Sequence, residues 1–237
     1  MKQFILYILF SILFTQAAFC QKVWDIDTSW LVGKDQKIFS YRQMVIDQWD
    51  NKYVITYFKG TVSIGNTTLS TTSTSIYEWS KGIYLVKYDY KNELQWVIKV
   101  AESDTMGRFA LKVDNSENII VAFTYSGYAH LENDTVYSTS NYHNLELVKY
   151  NKHGQKLIDL NIGGTNTVSI GGEYSLEIDN DNNLYVAGLF NASYTNNIPG
   201  TLILGTDTLF ATSRDMLLAK FDSNFNPIWA KSYGELG

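Results

Sequence analysis

The chain has 237 residues, a formal charge of −5, 15% aromatic residues, two prolines and one cysteine. Mild acidity argues against nucleic acid or an anionic membrane surface as the main partner. The lone Cys20 excludes a disulfide framework and a thiolate zinc site, so the core must hold the fold unaided.

Residues 1–20 read as a signal peptide. Lys2 is followed by an apolar run from Phe4 to Phe14, and Ala17, Ala18 and Cys20 supply small residues before a cleavage point at Gln21. The run is too short to span a bilayer, and no later stretch approaches that length, so the mature chain is expected to lack a transmembrane segment. The address this implies is secreted or cell surface. Cys20 also raises lipidation, although Phe19 stands where lipoprotein processing wants a small side chain.

Beyond residue 21 the composition is that of strands and polar turns, with abundant Tyr, Trp, Val, Ile, Thr, Asn and Gly. A unit recurs three times, over about 40–105, 106–172 and 173–237. Its first marker is a short apolar strand ending in Asp, a polar turn and a second apolar strand. The three Asp are Asp47, Asp114 and Asp179, spaced 67 and 65 residues apart. The carboxylate is expected to accept backbone N–H groups of its own turn. The second marker sets four polar residues between apolar ones, as in Ile64–Leu69, Leu131–Val136 and Leu204–Leu209. The third is a strand ending in Lys, an aromatic and Asp or Asn: Lys87-Tyr88-Asp89, Lys149-Tyr150-Asn151 and Lys220-Phe221-Asp222. A last strand closes each unit. Period-two alternation puts each Lys and the aromatic after it on opposite faces. Length varies between the second and third markers, where a loop absorbs insertions cheaply.

A repeat on this scale, read as four strands per unit, points to stacked or radial β modules. The markers and their order resemble the SBBP-type β-propeller repeat of secreted bacterial proteins, most closely in Asp179–Gly188 and in Arg214–Asp222 followed by Trp229–Gly234. The resemblance implies an all-β, propeller-like array of three four-stranded units. It also implies exported or cell-surface proteins of the kind sorted by type IX secretion, whose sorting domain this sequence does not contain. Three units do not close a ring of four to eight, so the expectation is an incomplete ring and the N-terminal part of a longer protein. The chain departs from the family where its hairpin glycine is Asp50, Glu117 and Asn182, and where Ile158 replaces a Trp of the last strand.

Signals for chemistry are sparse. Asp179–Asn183 starts like a calcium loop, but Leu184 and Phe190 stand where that loop needs Gly and Glu. His130, His143 and His153 have no zinc-motif spacing. Gly163-Gly164 and Gly171-Gly172 read as turns, since no Gly-Lys-Ser/Thr follows. No metal or cofactor is expected. Trp49, Trp79, Tyr125, Tyr128, Tyr142 and Tyr194 fall in predicted loops; of these Trp49, Trp79, Tyr128, Tyr142 and Tyr194 are the candidate ligand contacts. Asn66, Asn133 and Asn191 begin glycosylation sequons. Two functions follow: a propeller binding or scaffold module with a protein or glycan at its loop face and no catalysis of its own, or an enzyme acting on extracellular polysaccharide through loop carboxylates such as Glu102, Asp104 and Glu173.

Overall fold

The computed structural model describes residues 38–72, 81–139, 142–191 and 199–234, and every regular element in them is a β-strand. The leader, Cys20, Trp79 and Tyr194 lie outside the described residues.

The first sheet runs β1 (Ile38–Ile46), β2 (Lys52–Phe58), β5 (Lys81–Tyr88), β6 (Leu94–Ser103), β9 (Tyr128–Leu131) and β10 (Asp134–Tyr137), in that order. The second runs β12 (Lys156–Ile162), β11 (His143–Tyr150), β8 (Ile119–Ser126) and β7 (Met106–Val113). The third runs β13 (Val168–Ile170), β15 (Leu184–Asn191), β18 (Arg214–Phe221) and β19 (Pro227–Tyr233), with β14 (Leu176–Ile178) also paired to β15. Two hairpins form sheets of their own: β3 (Thr61–Ile64) with β4 (Thr67–Ser70), and β16 (Gly200–Leu204) with β17 (Asp207–Ala211). These hairpins and β9–β10 are the second marker, each turning through two residues.

The chain is all-β, but the expected ring of blades is not what it forms. The described strands divide into five separate sheets of six, four, five, two and two strands, none closed. The cause lies in the backbone. β6 extends ten residues and pairs with β9 of the following unit, Ala101 opposite Leu131 and Glu102 opposite His130, so one sheet crosses the unit boundary. The third sheet instead splits its first edge between β13 and β14. The resemblance to propeller repeats is therefore set aside, and with it the sorting route it implied.

The repeated polar turns share one geometry. In each, the side-chain oxygen of the first residue accepts the N–H groups two and four positions on. Asp114 Oδ1 accepts Ser116 N at 2.9 Å and Asn118 N at 2.8 Å, and Asn118 Nδ2 donates to Oδ2 at 3.0 Å. Asp47, Asp89, Asn151, Asp179 and Asp222 repeat the pattern. The fourth residue of every such turn has positive φ: Asp50, Asn92, Glu117, Gly154, Asn182 and Phe225, between 61° and 79°. The conformation is left-handed, and five of the six accept it without glycine.

Two joints hold the main sheets together. One face of the first sheet (Tyr53, Ile55, Tyr57, Ile83, Leu85) packs on Val121, Phe123, Tyr125 and Val148 of the second. The opposite face of the second (Ile120, Ala122, Leu145, Leu147) packs on Val186, Leu217, Ala219 and Phe221 of the third. Strand alternation supplies both faces from one sheet.

Candidate functional site

An open cleft of about 960 Å³ lies where the start of β7 meets the connection between β13 and β14. Its lining includes Met106, Arg108, Phe109, His143, Glu173 and Tyr174.

Local backbone features build it. A bulge between Met106 and Phe109 interrupts the pairing of β7 with β8 and leaves Arg108 exposed while Met106 and Phe109 stay buried. Gly107 is required there, because a Cβ would run into the Thr124 hydroxyl that accepts the Arg108 N–H at 2.9 Å. Across the cleft, residues 171–175 leave the sheet between β13 and β14. Gly172 takes φ 144° and donates its N–H to Ser175 Oγ at 2.7 Å, while Ser175 N donates back to Gly172 O at 3.1 Å. This tight loop throws Tyr174 into solvent, 95% exposed.

Polar contacts tie the walls together. Arg108 Nη1 donates to Gly171 O at 2.8 Å and Ile170 O at 3.4 Å. From β1, Gln43 Nε2 donates to Glu173 O at 2.8 Å, and Gln43 Oε1 accepts Leu111 N at 2.6 Å. One amide thus fastens the first sheet to both walls. A guanidinium has five N–H donors, so Arg108 keeps donors for a ligand. Burial pushes the His143 pKa down, which favours the neutral imidazole at neutral pH. Ser175 Oγ is already engaged by Gly172. The arrangement offers an apolar floor, an aromatic plate, a cation and a carboxylate, which is equipment for recognition.

The residues singled out from sequence are scattered. Trp49, 60% exposed, sits in the Asp47 turn at the far end of β1. Tyr125 is buried. Tyr128 donates its hydroxyl to Asp104 Oδ2 at 2.7 Å, and Tyr142 is half-buried beside His143. His130 bonds Thr135 on its own hairpin, His143 borders the cleft and His153 lies in the Asn151 turn. Among the described residues no group of three His, Cys, Asp or Glu is placed to hold a metal ion. The carboxylates proposed for catalysis do not converge: Glu102 is buried against Thr72 and Lys99, Asp104 holds Tyr128, and Glu173 alone borders the cleft. Both functional readings built on the ring, the propeller scaffold and the polysaccharide-acting enzyme, fall with the ring and with this dispersal. Sequence reasoning passed over Arg108 and Tyr174; the signal available was Gly171-Gly172 followed by Glu-Tyr-Ser.

Among the described residues no helix is long and apolar enough to cross a membrane. No protein-family model matches this chain, and no curated protein matches it.

Proposed function

We propose that the cleft between β7 and the 171–175 loop recognises a carbohydrate. The observation that carries the reading is Tyr174, almost wholly exposed on a short closed loop, beside an Arg108 whose guanidinium is already oriented by two backbone carbonyls. An exposed aromatic face stacks on a sugar ring, and the flanking guanidinium and carboxylate hydrogen-bond its hydroxyls. A peptide bound by strand addition is disfavoured. Gln43 occupies the Leu111 N–H on the free edge of β7, and Arg108 takes the carbonyls at the end of β13. Tyr142 adjoins the cleft residue His143 only in sequence, and Trp49 at the far end of β1 would be a separate contact. The signal-like leader supports an extracytoplasmic setting, where such polymers are met.

The test is titration of the chain with neutral and uronic-acid oligosaccharides, followed by calorimetry and amide NMR shifts. Saturable binding is expected. Tyr174→Ala weakens it about tenfold, roughly 1.4 kcal/mol, with an unchanged melting temperature. Arg108→Ala weakens it at least as much while also lowering the melting temperature, because the wall contacts to Ile170 and Gly171 go with it. Absence of binding to every sugar at millimolar concentration overturns the reading.

A further inference from the structure

The two joints inside the chain use one device. At the first joint, Lys87 Nζ and Trp96 Nε1 of the first sheet both donate to the carbonyl of Lys152, each at 3.1 Å. Lys152 is the second residue of the Asn151 turn. Tyr53 packs beside Trp96 with ring centroids 6.1 Å apart, and Lys87 lies 5.2 Å from the Tyr53 ring centre. Gly154, fourth in that turn, lies against Trp96 and Ile98. At the second joint, Lys149 Nζ donates to the carbonyl of Ser223 at 2.7 Å, and Ser223 is the second residue of the Asp222 turn. Each joint therefore seats a lysine and two neighbours from one sheet on the Asx turn of the next.

The third sheet carries the first half of this device again. Tyr185 and Trp229 pair edge to face at 6.1 Å, and Lys220 stands 4.8 Å from the Tyr185 ring centre, as Tyr53, Trp96 and Lys87 do. Among the described residues no turn covers this face. Among the described residues the Trp229 indole N–H has no acceptor, and Lys220 turns back to Asp179 at 3.1 Å. Met216 and Tyr233, paired at the other end of the same two strands, are 45% and 51% exposed. The second half of the device lies on the first sheet, where among the described residues no lysine of another sheet is seated on it. Its Asx turn, Asp89 to Glu93, is exposed at Tyr90, Lys91, Asn92 and Glu93, and the carbonyl of Tyr90 occupies the place of Lys152 and Ser223, with Lys52 Nζ at 3.3 Å.

We propose that the Tyr185–Lys220–Trp229 face of one copy docks on the Asp89–Glu93 turn of a second copy, joining chains head to tail. Lys220 and the Trp229 indole then donate to the Tyr90 carbonyl, as Lys87 and Trp96 do to Lys152. The acidic Asp89 and Glu93 meet Lys220 and Lys231, and Lys91 stays over its own Tyr90 ring at 5.4 Å. Asn92 holds the place that Gly154 takes under Trp96 and Phe225 takes at the second joint, so its bulk falls between the two. The contact is heterologous, so a dimer keeps one free half of each kind, one on each copy, and can bind on.

Sedimentation of the full chain up to about 1 mM tests this. The mass should rise with concentration. Two variants block one half each. Lys220→Ala with Trp229→Ala removes the donors. Asn92→Phe crowds the turn without breaking it, because Phe225 holds the equivalent place at φ 62°. Each variant alone should stay monomeric, and the two mixed should form a dimer and nothing larger. Tyr185→Ile with Trp229→Ile should restore association to Asn92→Phe, since the second joint pairs isoleucines with a phenylalanine. A wild-type chain monomeric throughout overturns the proposal. So does association of wild type that neither variant disturbs, or a mixture of folded variants that remains monomeric.

Discussion

The joint between the first and second sheets differs from the joint between the second and third in where it keeps its bulk. At the first, Tyr53 and Trp96 are large and the turn residue beneath is Gly154. At the second, Ile120 and Ile158 replace the aromatics and the turn residue is Phe225, buried in the same cluster and 5.4 Å from the Lys149 ammonium. Ile158, which in sequence stands out only as a departure from the Trp of the last strand, is one half of an exchange across an interface. Close-packed interiors conserve volume, so a side chain lost from one sheet reappears on the turn that meets it. The joints differ in polarity too. The first buries Glu146 beside Tyr125 and Asn161, while the equivalent place on the third sheet is Leu217.

That polarity gives the largest expected effect. Burial raises the Glu146 pKa from the ordinary glutamate range to about 8. Asn161 Nδ2 donates to Oε2 at 2.8 Å and Oε1 has no partner. Asp159 and Asp134 push the pKa further up, and Lys156 opposes them. A raised folded-state pKa means that the unfolded chain loses its proton first as pH rises. The stability this proton supports is full below about pH 4.5, falls through the interval up to about 8 and is then gone, on the order of 5 kcal/mol. Glu146→Gln should flatten that slope in urea unfolding measured from pH 5 to 9. A slope that persists in the variant places the titration elsewhere. The half-buried turn carboxylates Asp179 and Asp222 have the opposite sign. The side-chain amide of Asn183 leads the contacts that hold Asp179 well below the carboxylate range, and that of Asn226 does the same for Asp222. Their contribution is present above the usual carboxylate pKa and is lost only as pH falls through the depressed one.

The exchange of volume can be broken directly. Phe225→Gly removes a buried ring but relieves a positive φ, for a net loss of about 2–4 kcal/mol. Gly154→Phe drives a ring against Trp96, whose atoms lie 3.4–3.5 Å from a Cβ at that position, and should cost about 1–3 kcal/mol. Adding Tyr53→Ile and Trp96→Ile rebuilds the second joint's pattern at the first. A coupling of about 1 kcal/mol or more in the mutant cycle is expected. Additive losses would show that the two joints tolerate bulk independently.

The contrast also shows what a linear sequence discloses. The Asx turns at Asp47, Asp114 and Asp179 were legible because their chemistry is local: a carboxylate reaches N–H groups two and four residues on, and the residue types say so. Asp89, Asn151 and Asp222, by contrast, read only as polar turn residues and make the same bonds in the structure. Tyr150 and Phe221, fully buried, and the lysines on the opposite face follow from alternation over a single strand. The pairing of β6 with β9 was not legible. Backbone hydrogen bonds between strands of different units leave no mark on side-chain order, so the repeat suggested separate equivalent sheets where one sheet runs on. The joints were half legible. Lys87 and Lys149 stood out as repeated, yet their acceptors are backbone carbonyls in the next unit, which carry no residue identity. The cleft was missed for a related reason. Arg108 and Tyr174 have no counterparts among the markers, and a search for repetition passes over what occurs once.

The smallest effect concerns the turns themselves, where both joints find their seats. Asp50 holds φ 61° on an exposed turn that forms no part of either joint, so its backbone cost is separable from packing. Left-handed φ strains an L residue by roughly 1–2 kcal/mol, less for Asp and Asn than for most, and not at all for Gly. Asp50→Gly relieves the strain and at the same time loosens the unfolded chain, which offsets part of the gain. The net expectation is a stabilisation of about 0.5 kcal/mol. Asp50→Ala should lose a similar amount, and Asp50→Val more, since a β-branched side chain fits this region worst. Midpoints of urea unfolding at constant m-value check the order Gly, Asp, Ala, Val. If Asp50→Gly brings no stabilisation, the left-handed turn carries little strain, and the cost assigned to Phe225 at the second joint reduces to its ring alone.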